Sequence, residues 1–249
     1  MEPKPKMRVA GLVLARGGSD AVKKKNTRLV CGLPLLSWVL RPMRHCKTLD
    51  EIWVSTDEQE IEDIANAEGC SVLRRSEDFA QAESPSILAV QEFVRQAPGV
   101  EVIALVQCTS PCLAPSYLDE AVSLVTSDKY DSVFSIARDY KWRWTELSQD
   151  GTTRPLNFDP AQRLCRQEWA GEIVESGHFY VTRAEFVREG LLQGGRQAHS
   201  RTTLSLFVGP WKVAAGPNVQ EDLQWLVFCP FSFSNIFIYL FTFPRGQQL

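Results

Sequence analysis

Short apolar segments alternate with amphipathic ones along this chain, and this alternation constrains the fold more than any other feature. The apolar segments have the length of buried strands and lie at 8–15, 51–56, 71–75, 101–107 and 130–138. The segments between them show helical spacing and lie at 33–46, 58–69, 84–97 and 114–127. Such alternation is typical of an open, mostly parallel sheet with helices on both faces. The sequence therefore predicts a Rossmann-like α/β fold with three layers, αβα.

Prolines and a serine set the predicted starts of two helices. Pro34 is expected in the first turn of the helix at 33–46, and Pro42 is expected to kink or stop that helix. Ser84 is expected to cap the helix at 84–97, with Pro85 as its first residue.

The alternation breaks between about 139 and 175. This stretch is rich in aromatic residues, arginine and turn-forming residues, so we interpret it as an insertion rather than a crossover between strands. Strand and helix patterns return at 176–190.

The end of the chain differs in composition from everything before it. Residues 226–243 carry no charge across eighteen positions, which is the lower limit for a membrane-spanning segment. This segment is a buried terminus, a membrane tail anchor or an alternative end, and we favour the third interpretation. We therefore divide the chain into a domain at 1–225 and an atypical hydrophobic tail at 226–249.

Net charge and cysteine usage limit the classes of ligand and the cellular compartments that the sequence favours. The formal net charge of −3 argues against a nucleic-acid binder, while a local basic patch still allows a small anionic ligand. The seven cysteines show no metal-ligand spacing and are interpreted as reduced thiols. Without a convincing signal peptide, the default location is the cytoplasm, and the apolar tail keeps an endomembrane (Golgi) location open.

Polar and cationic residues follow the apolar strands where these end, at 16–26, 55–57, 74–75 and 107–111. In open parallel sheets, ligands bind at the carboxyl ends of the strands. Taken singly, Arg75 is equally explained as a surface arginine, Ser84 as a helix cap and Gln107 as a partner for a backbone group. Because they are expected at one sheet edge, we predict a binding site there.

The stretch LARGGSDAVKKKN at 14–26 carries the strongest part of this prediction. Gly17 and Gly18 allow the backbone to approach a ligand, and turns of this kind form anion-binding concavities. Arg16 and the lysines at 23–25 add positive charge, although two of the three lysines are expected to be solvated. The stretch is neither a Walker A loop nor a GxGxxG turn, and it would suit a triphosphate.

This stretch resembles the first motif of the CMP-sialic acid synthetases, also called N-acylneuraminate cytidylyltransferases. The resemblance continues through IWVSTD, QCTSPCL, YDSVFSI, PLNFDPAQRLCRQEW and ESGHFYV, covers most of residues 8–190, and is strongest toward the animal enzymes. It implies that the anomeric hydroxyl of a sialic acid attacks the α-phosphate of CTP, with Mg²⁺ offsetting phosphate charge. The Kdo cytidylyltransferases are the related alternative.

The resemblance also implies roles for individual residues. Arg16 and Asn26 would hold the nucleotide together with Gly17 and Ser19, and Lys25 would lie near the phosphates. Arg16 and Lys25 would also belong to the catalytic set. The remaining contacts to nucleotide or substrate would come from Asp57, Arg75, Ser84, Ser86 and Gln107.

The basic motif of the animal enzymes is represented by Arg163 and Arg166, which would complete the catalytic set. They lie in the stretch at 139–175, which the resemblance implies is a dimerisation element that reaches toward the partner's site. A homodimer or homotetramer is therefore expected. Because this basic motif is thinned, nuclear import is in doubt.

Several positions depart from the family pattern. Asp20 replaces a lysine, and Cys165 replaces an arginine of the basic motif. The family's metal-binding acidic stretch is represented by NVQEDLQW at 218–225, where only Asp222 remains in phase as a ligand for Mg²⁺. These departures favour a rival hypothesis, a weakly active or inactive homologue that binds nucleotide and dimerises.

Overall fold

The computed structural model describes residues 5–18, 22–81, 83–165 and 167–201, and the backbone of two strands near the end of the chain. Ser19, Asp20, Arg166 and Asp222 lie outside the described residues, so their predicted roles stay predictions. The boundary predicted at residue 225 also stays a prediction.

The elements confirm the predicted alternation. The strands are β1 Val9–Leu14, β2 Leu29–Val30, β3 Leu33–Pro34, β4 Glu51–Thr56, β5 Ser71–Arg74, β6 Val102–Gln107, β7 Ser132–Asp139, β8 Glu172–Arg183, β9 Gln197–Arg201, β10 Trp225–Cys229 and β11 Phe237–Phe241. The helices are α1 Leu35–Arg44, α2 Gln59–Ala67, α3 Glu77–Ala80, α4 Ser86–Gln96, α5 Pro115–Thr126 and α6 Ala184–Arg188.

Seven strands form the central sheet in the order β5-β4-β1-β6-β8-β7-β9. Neighbouring strands are parallel except at β8, which runs antiparallel to both β6 and β7. The predicted mostly parallel sheet is confirmed. Because β8 reverses direction, its middle, at Phe179, pairs with Val106 near the end of β6, and its first residue, Glu172, pairs with Asp139 at the end of β7.

Helices cover both faces of this sheet, as a three-layer fold requires. One core packs α1, α2 and α5 against one face and includes Leu36, Ile61 and Leu118. The second core packs α4 and α6 against the other face and includes Phe93 and Val187. The central strands β1 and β6 are buried on both faces, which explains their continuous apolar sequences.

Two predicted helix starts were wrong. Pro85 adopts extended backbone angles of φ −59° and ψ 136°, so α4 begins at Ser86, and Ser84 is not its cap. Pro34 likewise precedes α1 rather than lying in its first turn. Pro42 lies inside α1, which ends two residues later, because proline lacks the N–H that would continue the hydrogen-bond ladder.

The predicted insertion contains little regular structure. Within it, Trp144 pairs with Pro155 through an isolated bridge, and a short 3-10 helix spans Pro160–Gln162. β8 begins at Glu172, so the last residues of the predicted range belong to a strand.

The predicted tail contains β11 and most of β10, which pair in antiparallel orientation. In the part of the chain that the structure describes, no helix combines the length and the apolar character needed to cross a membrane.

Candidate functional site

A cavity of about 270 Å³ opens at the carboxyl ends of β1 and β6. Its walls come from the turn after β1, the segment between β5 and α4, the start of α4 and the end of β6. The lining residues are Leu14, Arg16, Lys25, Asn26, Arg75, Phe79, Gln81, Ser84, Ser86, Ala89, Gln107, Cys108 and Thr109. The sheet edge that the sequence predicted as a site is therefore a concave surface.

The cavity is electropositive. Arg16, Lys25 and Arg75 line it, and none of the described residues that line it is acidic. Three cations around a small cavity attract an anion, which an acidic protein otherwise repels. The arrangement suits phosphate groups.

The glycine turn after β1 is held from behind by the end of β4. The Gly17 amide donates a hydrogen bond to Asp57 Oδ1 at 2.9 Å. A Cβ atom at Gly17 would lie 2.7 Å from the Cβ of Glu58, which explains why glycine is needed there. Asp57 was expected to line the pocket, but it lies at Gly17 and is not among the cavity-lining residues.

Asn26 is buried at the opposite side of the same turn. Its Nδ2 donates to the carbonyl oxygen of Arg16 at 3.0 Å. Its Oδ1 is buried and has no hydrogen-bond partner among the described residues. A buried acceptor that lacks a partner costs about 1–3 kcal/mol, so a ligand donor at this atom would stabilise the site.

Arg75 is the most buried of the three cations, with 7% of its surface exposed. Its Nε donates to Ser55 Oγ at 3.0 Å, and its Nη2 donates to the Ser55 carbonyl oxygen at 2.7 Å. Burial lowers the pKa of the Arg75 guanidinium, while Asp57 and Glu92 raise it. The guanidinium remains charged, and its other N–H groups are available to the cavity.

The predicted residues Ser84, Ser86 and Gln107 complete the polar lining. Sequence reasoning did not single out Phe79, Gln81, Cys108 and Thr109, although Cys108 and Thr109 lie in the QCTSPCL motif. Burial raises the pKa of the Cys108 thiol to about 12, so this thiol is neutral.

The three lysines of the turn have different surroundings. Lys25 lines the cavity, whereas Lys24 forms an ion pair with Glu60 at 2.8 Å. Lys23 is exposed. Two of the three thus face solvent, as the sequence analysis expected.

Arg163 lies elsewhere, on the aromatic cluster of the insertion. Its guanidinium carbon is 5.4 Å from the ring centre of Trp142 and 5.7 Å from that of Phe158. Trp142 also stacks on Trp169, with ring centres 4.2 Å apart. The structure therefore does not bring the predicted Arg163 into the cavity of its own chain, and the neighbouring Cys165 is exposed.

The described residues contain no ready-made cluster of metal ligands. In that part of the chain, no three His, Cys, Asp or Glu side chains group together as metal ligands. The predicted ligand Asp222 lies outside the described residues.

Comparison with known proteins decides the family. The cytidylyltransferase family profile matches residues 10–205. The chain belongs to the cytidylyltransferase family. Zebrafish N-acylneuraminate cytidylyltransferase A is 43% identical over 193 residues, which cover 77% of this chain and 45% of that protein. The chain spans about half the length of the curated fish relatives it matches.

A bacterial relative and a solved structure extend this cytidylyltransferase comparison. The CMP-N,N'-diacetyllegionaminic acid synthase of Legionella pneumophila is 30% identical, over 88% of this chain and 94% of that protein. The structure of CMP:2-keto-3-deoxy-manno-octonic acid synthetase complexed with CTP superposes with a TM-score of 0.59 at 14% identity, covering 79% of this chain and 91% of that one. The predicted family resemblance and the predicted fold are confirmed.

Proposed function

We propose that this chain transfers the cytidylyl group of CTP to the anomeric hydroxyl of a sialic acid and releases pyrophosphate. The observation that carries the proposal is a cavity whose described lining residues include three cations and no carboxylate, in a chain of the cytidylyltransferase family. The names of its fish relatives support sialic acid as the acceptor.

The proposed reaction exchanges one bond at the α-phosphorus of CTP. A bond forms from the anomeric oxygen to this phosphorus, and the bond to the oxygen that bridges to the β-phosphate breaks. Its electron pair leaves with pyrophosphate, and the hydroxyl proton passes to solvent. Such a transfer depends mainly on positioning and on stabilisation of negative charge. Arg16 and Lys25 would supply the positive charge that stabilises the phosphates, and the Gly17 turn would let the phosphates approach.

The nucleoside would occupy the deeper wall of the cavity. Cytosine presents oxygen and nitrogen acceptors that suit the free N–H groups of Arg75. The unpartnered Asn26 Oδ1 would accept from an amine or hydroxyl donor of the nucleotide. The hydroxyls of Ser84 and Ser86 would add contacts to base or ribose.

Magnesium belongs to the proposal. Mg²⁺ commonly binds through one or two carboxylates together with substrate phosphates, and Asp222 is the candidate carboxylate. The described residues offer no cluster of three or more metal ligands. We expect EDTA to abolish pyrophosphate release and added Mg²⁺ to restore it.

We propose that the protein works as a homodimer or homotetramer, with the insertion at the interface. The insertion exposes several large apolar side chains, namely Trp144, Leu147, Leu156 and Leu164. In such an assembly Arg163 and Arg166 would serve the site of the partner subunit. Mixing a cavity variant, Arg75→Leu, with an insertion variant, Arg163→Leu, should then restore activity that neither has alone.

The location we propose is the cytoplasm. The six cysteines of the described segments are all free thiols, which supports a reducing compartment. Fractionation of cells that express the protein with or without residues 226–249 would test whether the tail directs the protein to an endomembrane instead.

Two other functions have an observation in their favour. The Legionella relative is named for a different acidic sugar, so another 2-keto sugar acid is an alternative acceptor. Asp20, Cys165 and the amides at 218, 220 and 224 favour a weakly active homologue that binds CTP.

The deciding experiment measures pyrophosphate release by the 249-residue protein with CTP, N-acetylneuraminic acid and Mg²⁺. Release that needs both substrates is expected, with little release when ATP replaces CTP. Pyrophosphate release with Kdo but not with N-acetylneuraminic acid would show that the acceptor is a different 2-keto sugar acid. CTP binding by calorimetry without any release, from folded protein, would favour the inactive homologue.

A further inference from the structure

His178 is a buried histidine of β8 that the reaction described above does not use. Only 3% of its surface is exposed. Its Nδ1 lies 3.2 Å from Ser176 Oγ, whereas its Nε2 is buried and has no hydrogen-bond partner among the described residues. An unsatisfied buried nitrogen costs about 1–3 kcal/mol, so a partner for Nε2 is expected in the loaded site.

The strand register brings His178 next to Gln107. The pairing of β6 with β8 ends at Val106 and Phe179, so the next residues along the two strands are Gln107 and His178. Phe179 packs into the core on the α5 side, and Tyr180 packs against the core on the α4 side. Extending the alternation seen at Tyr180 and Phe179 by one residue would put His178 on the α4 side, where the cavity opens.

Same-face neighbours on adjacent antiparallel strands have Cβ atoms about 4.5–5.5 Å apart. An imidazole and a glutamine side chain at that spacing can form a hydrogen bond. Gln107 lines the cavity, and a glutamine amide carries both a donor and an acceptor, so it can bind a ligand and a second side chain at the same time.

The backbone around His178 is fixed by Ser135. The amides of His178 and Phe179 both donate to Ser135 Oγ at 3.0 Å. Gly177, with φ of 70°, forms part of the irregularity where β8 shifts register against β7. Such bulges re-aim side chains near binding sites, and this one holds His178 in a defined position.

The ring of His178 is neutral, which decides what Nε2 can do. Burial lowers its pKa, and a hydrogen bond to the backbone of Ser176 raises it to a smaller extent. With the proton on Nδ1 toward Ser176, Nε2 presents a lone pair and accepts a hydrogen bond. The amide nitrogen of Gln107 is a donor of the required kind.

We propose that His178 is a positioning residue for the acceptor sugar, because its Nε2 accepts a hydrogen bond from the Gln107 amide nitrogen in the loaded site. This bond turns the amide oxygen of Gln107 toward the hydroxyl groups of the acceptor. The inference rests on the proposed function.

The order of the strands indicates that His178 affects binding of the acceptor sugar rather than binding of CTP. Arg16 and Arg75 follow β1 and β5, on one side of β6, and β8 lies on the other side. In the proposed arrangement, His178 would approach Gln107 from the side away from the phosphate-binding cations. A second substrate beside the nucleotide would occupy that side.

Steady-state kinetics of three His178 variants test this positioning role. We expect His178→Leu to raise the KM for N-acetylneuraminic acid about tenfold, which corresponds to the loss of one well-placed hydrogen bond, with the KM for CTP changed less than about twofold. His178→Gln places an acceptor oxygen near the position of Nε2 and should restore the lower KM. His178→Asn places it near Nδ1 and should not.

Thr182 offers a matched control on the same strand. It is fully buried, and its Oγ1 also has no partner among the described residues, but it is not a cavity-lining residue. Thr182→Val should leave both KM values unchanged. Equal effects of Thr182→Val and His178→Leu on the KM for the sugar would overturn the inference, since they would reflect general loosening of β8.

A double-mutant comparison tests whether His178 acts through Gln107. In a Gln107→Ala background, His178→Leu should have no additional effect on the KM for the sugar. A further tenfold rise in that background would overturn the proposed route.

A measurement independent of activity uses the ¹⁵N signals of the histidine rings, of which the chain has three. His178 is assigned as the signal lost in His178→Asn. Adding N-acetylneuraminic acid to the CMP-saturated protein should shift Nε2 toward the value of a hydrogen-bonded acceptor. If pyrophosphate is released but the ¹⁵N signal of His178 Nε2 does not shift, the His178 inference alone is overturned. If that signal shifts but no pyrophosphate is released, the proposed transfer alone is overturned.

Discussion

The turn after β1 and the insertion at 139–175 both place arginine in sequences that resemble family motifs, yet the structure positions the two arginines differently. Arg16 lines the cavity, together with Lys25 and the distant Arg75. Arg163 packs on two aromatic rings of its own insertion. A charge at the carboxyl end of a buried strand is positioned by the sheet, whereas a charge in an irregular segment is positioned by local packing.

Hydrogen bonds explain this difference. The turn is joined to the neighbouring strand by bonds from Ala15 N to the Ser55 carbonyl oxygen at 3.0 Å and from Gly17 N to Asp57 Oδ1. The insertion is held largely by contacts to itself and to β8, such as Arg143 with Glu172 at 2.8 Å. Four experiments separate the two regions by their effect on CTP affinity, which should be large in the cavity and absent in the insertion.

The largest loss of CTP affinity is expected for Arg75→Leu. Arg75 is a buried cation whose remaining N–H groups face the cavity, and hydrogen bonds to a charged group contribute about 1.5–3 kcal/mol. We therefore expect the Kd for CTP in calorimetry to rise about 100-fold.

The neighbouring Arg74 provides the control for this substitution. Arg74 is exposed and pairs with Glu62 at 3.1 Å, outside the cavity lining. Arg74→Leu should leave the Kd for CTP within about twofold of the unmodified protein. Equal losses from the two variants would show that β5 as a whole, and not the Arg75 side chain, determines binding.

Gly17→Ala should give the next largest effect. The added Cβ would lie 2.7 Å from the Cβ of Glu58, which cannot rotate away, so the turn must shift. Forced shifts of this kind cost about 1–3 kcal/mol, and we expect CTP affinity to fall about thirtyfold.

Gly18 is the matched control, because a Cβ atom there would meet nothing within 4 Å among the described residues. Gly18→Ala should change the Kd for CTP less than about threefold. A larger loss for Gly18→Ala than for Gly17→Ala would contradict the close contact between the turn and β4.

How far the sequence predicted the cavity depends on the range of the interactions. Strand ends are read from local apolar runs, so Arg16, Arg75 and Gln107 were all correctly expected at one sheet edge. The sequence did not reveal the antiparallel direction of β8, because apolar pattern alone does not set strand direction. The position of His178 beside Gln107 depends on that direction and was therefore missed.

At some positions the local sequence is compatible with more than one structure. Ser84 and Pro85 match the usual start of a helix, yet Pro85 is extended and Ser84 lines the cavity. Asp57 was expected in the pocket because it follows a strand, but its carboxylate binds the Gly17 amide. The sequence places such residues at the edge of the sheet but does not decide which neighbour each one binds.

A smaller effect is expected from removing one lysine of the turn. Lys25→Met should raise the Kd for CTP about fivefold at low salt, because a partly exposed charge near phosphates contributes about 1 kcal/mol. Lys24→Met should change the Kd less than twofold, since Lys24 pairs with Glu60 and lies outside the cavity lining. Calorimetry at two salt concentrations checks both, and equal effects would show that the turn acts only through its total charge.

Trp142→Ala should have the smallest effect on CTP affinity, although it removes the centre of the insertion's aromatic cluster. Trp142 stacks on Trp169 and contacts Phe158, with ring centres 4.8 Å apart, and aromatic pairs of this kind contribute about 0.5–1.5 kcal/mol beyond their buried area. We expect the insertion to loosen, so that the proposed dimer dissociates at higher protein concentration in sedimentation experiments. The Kd for CTP should stay within about twofold, because the cavity is built by the sheet of one chain. A loss of CTP affinity parallel to dimer dissociation would instead mean that the partner's insertion completes the nucleotide pocket, and would erase the contrast between the two regions.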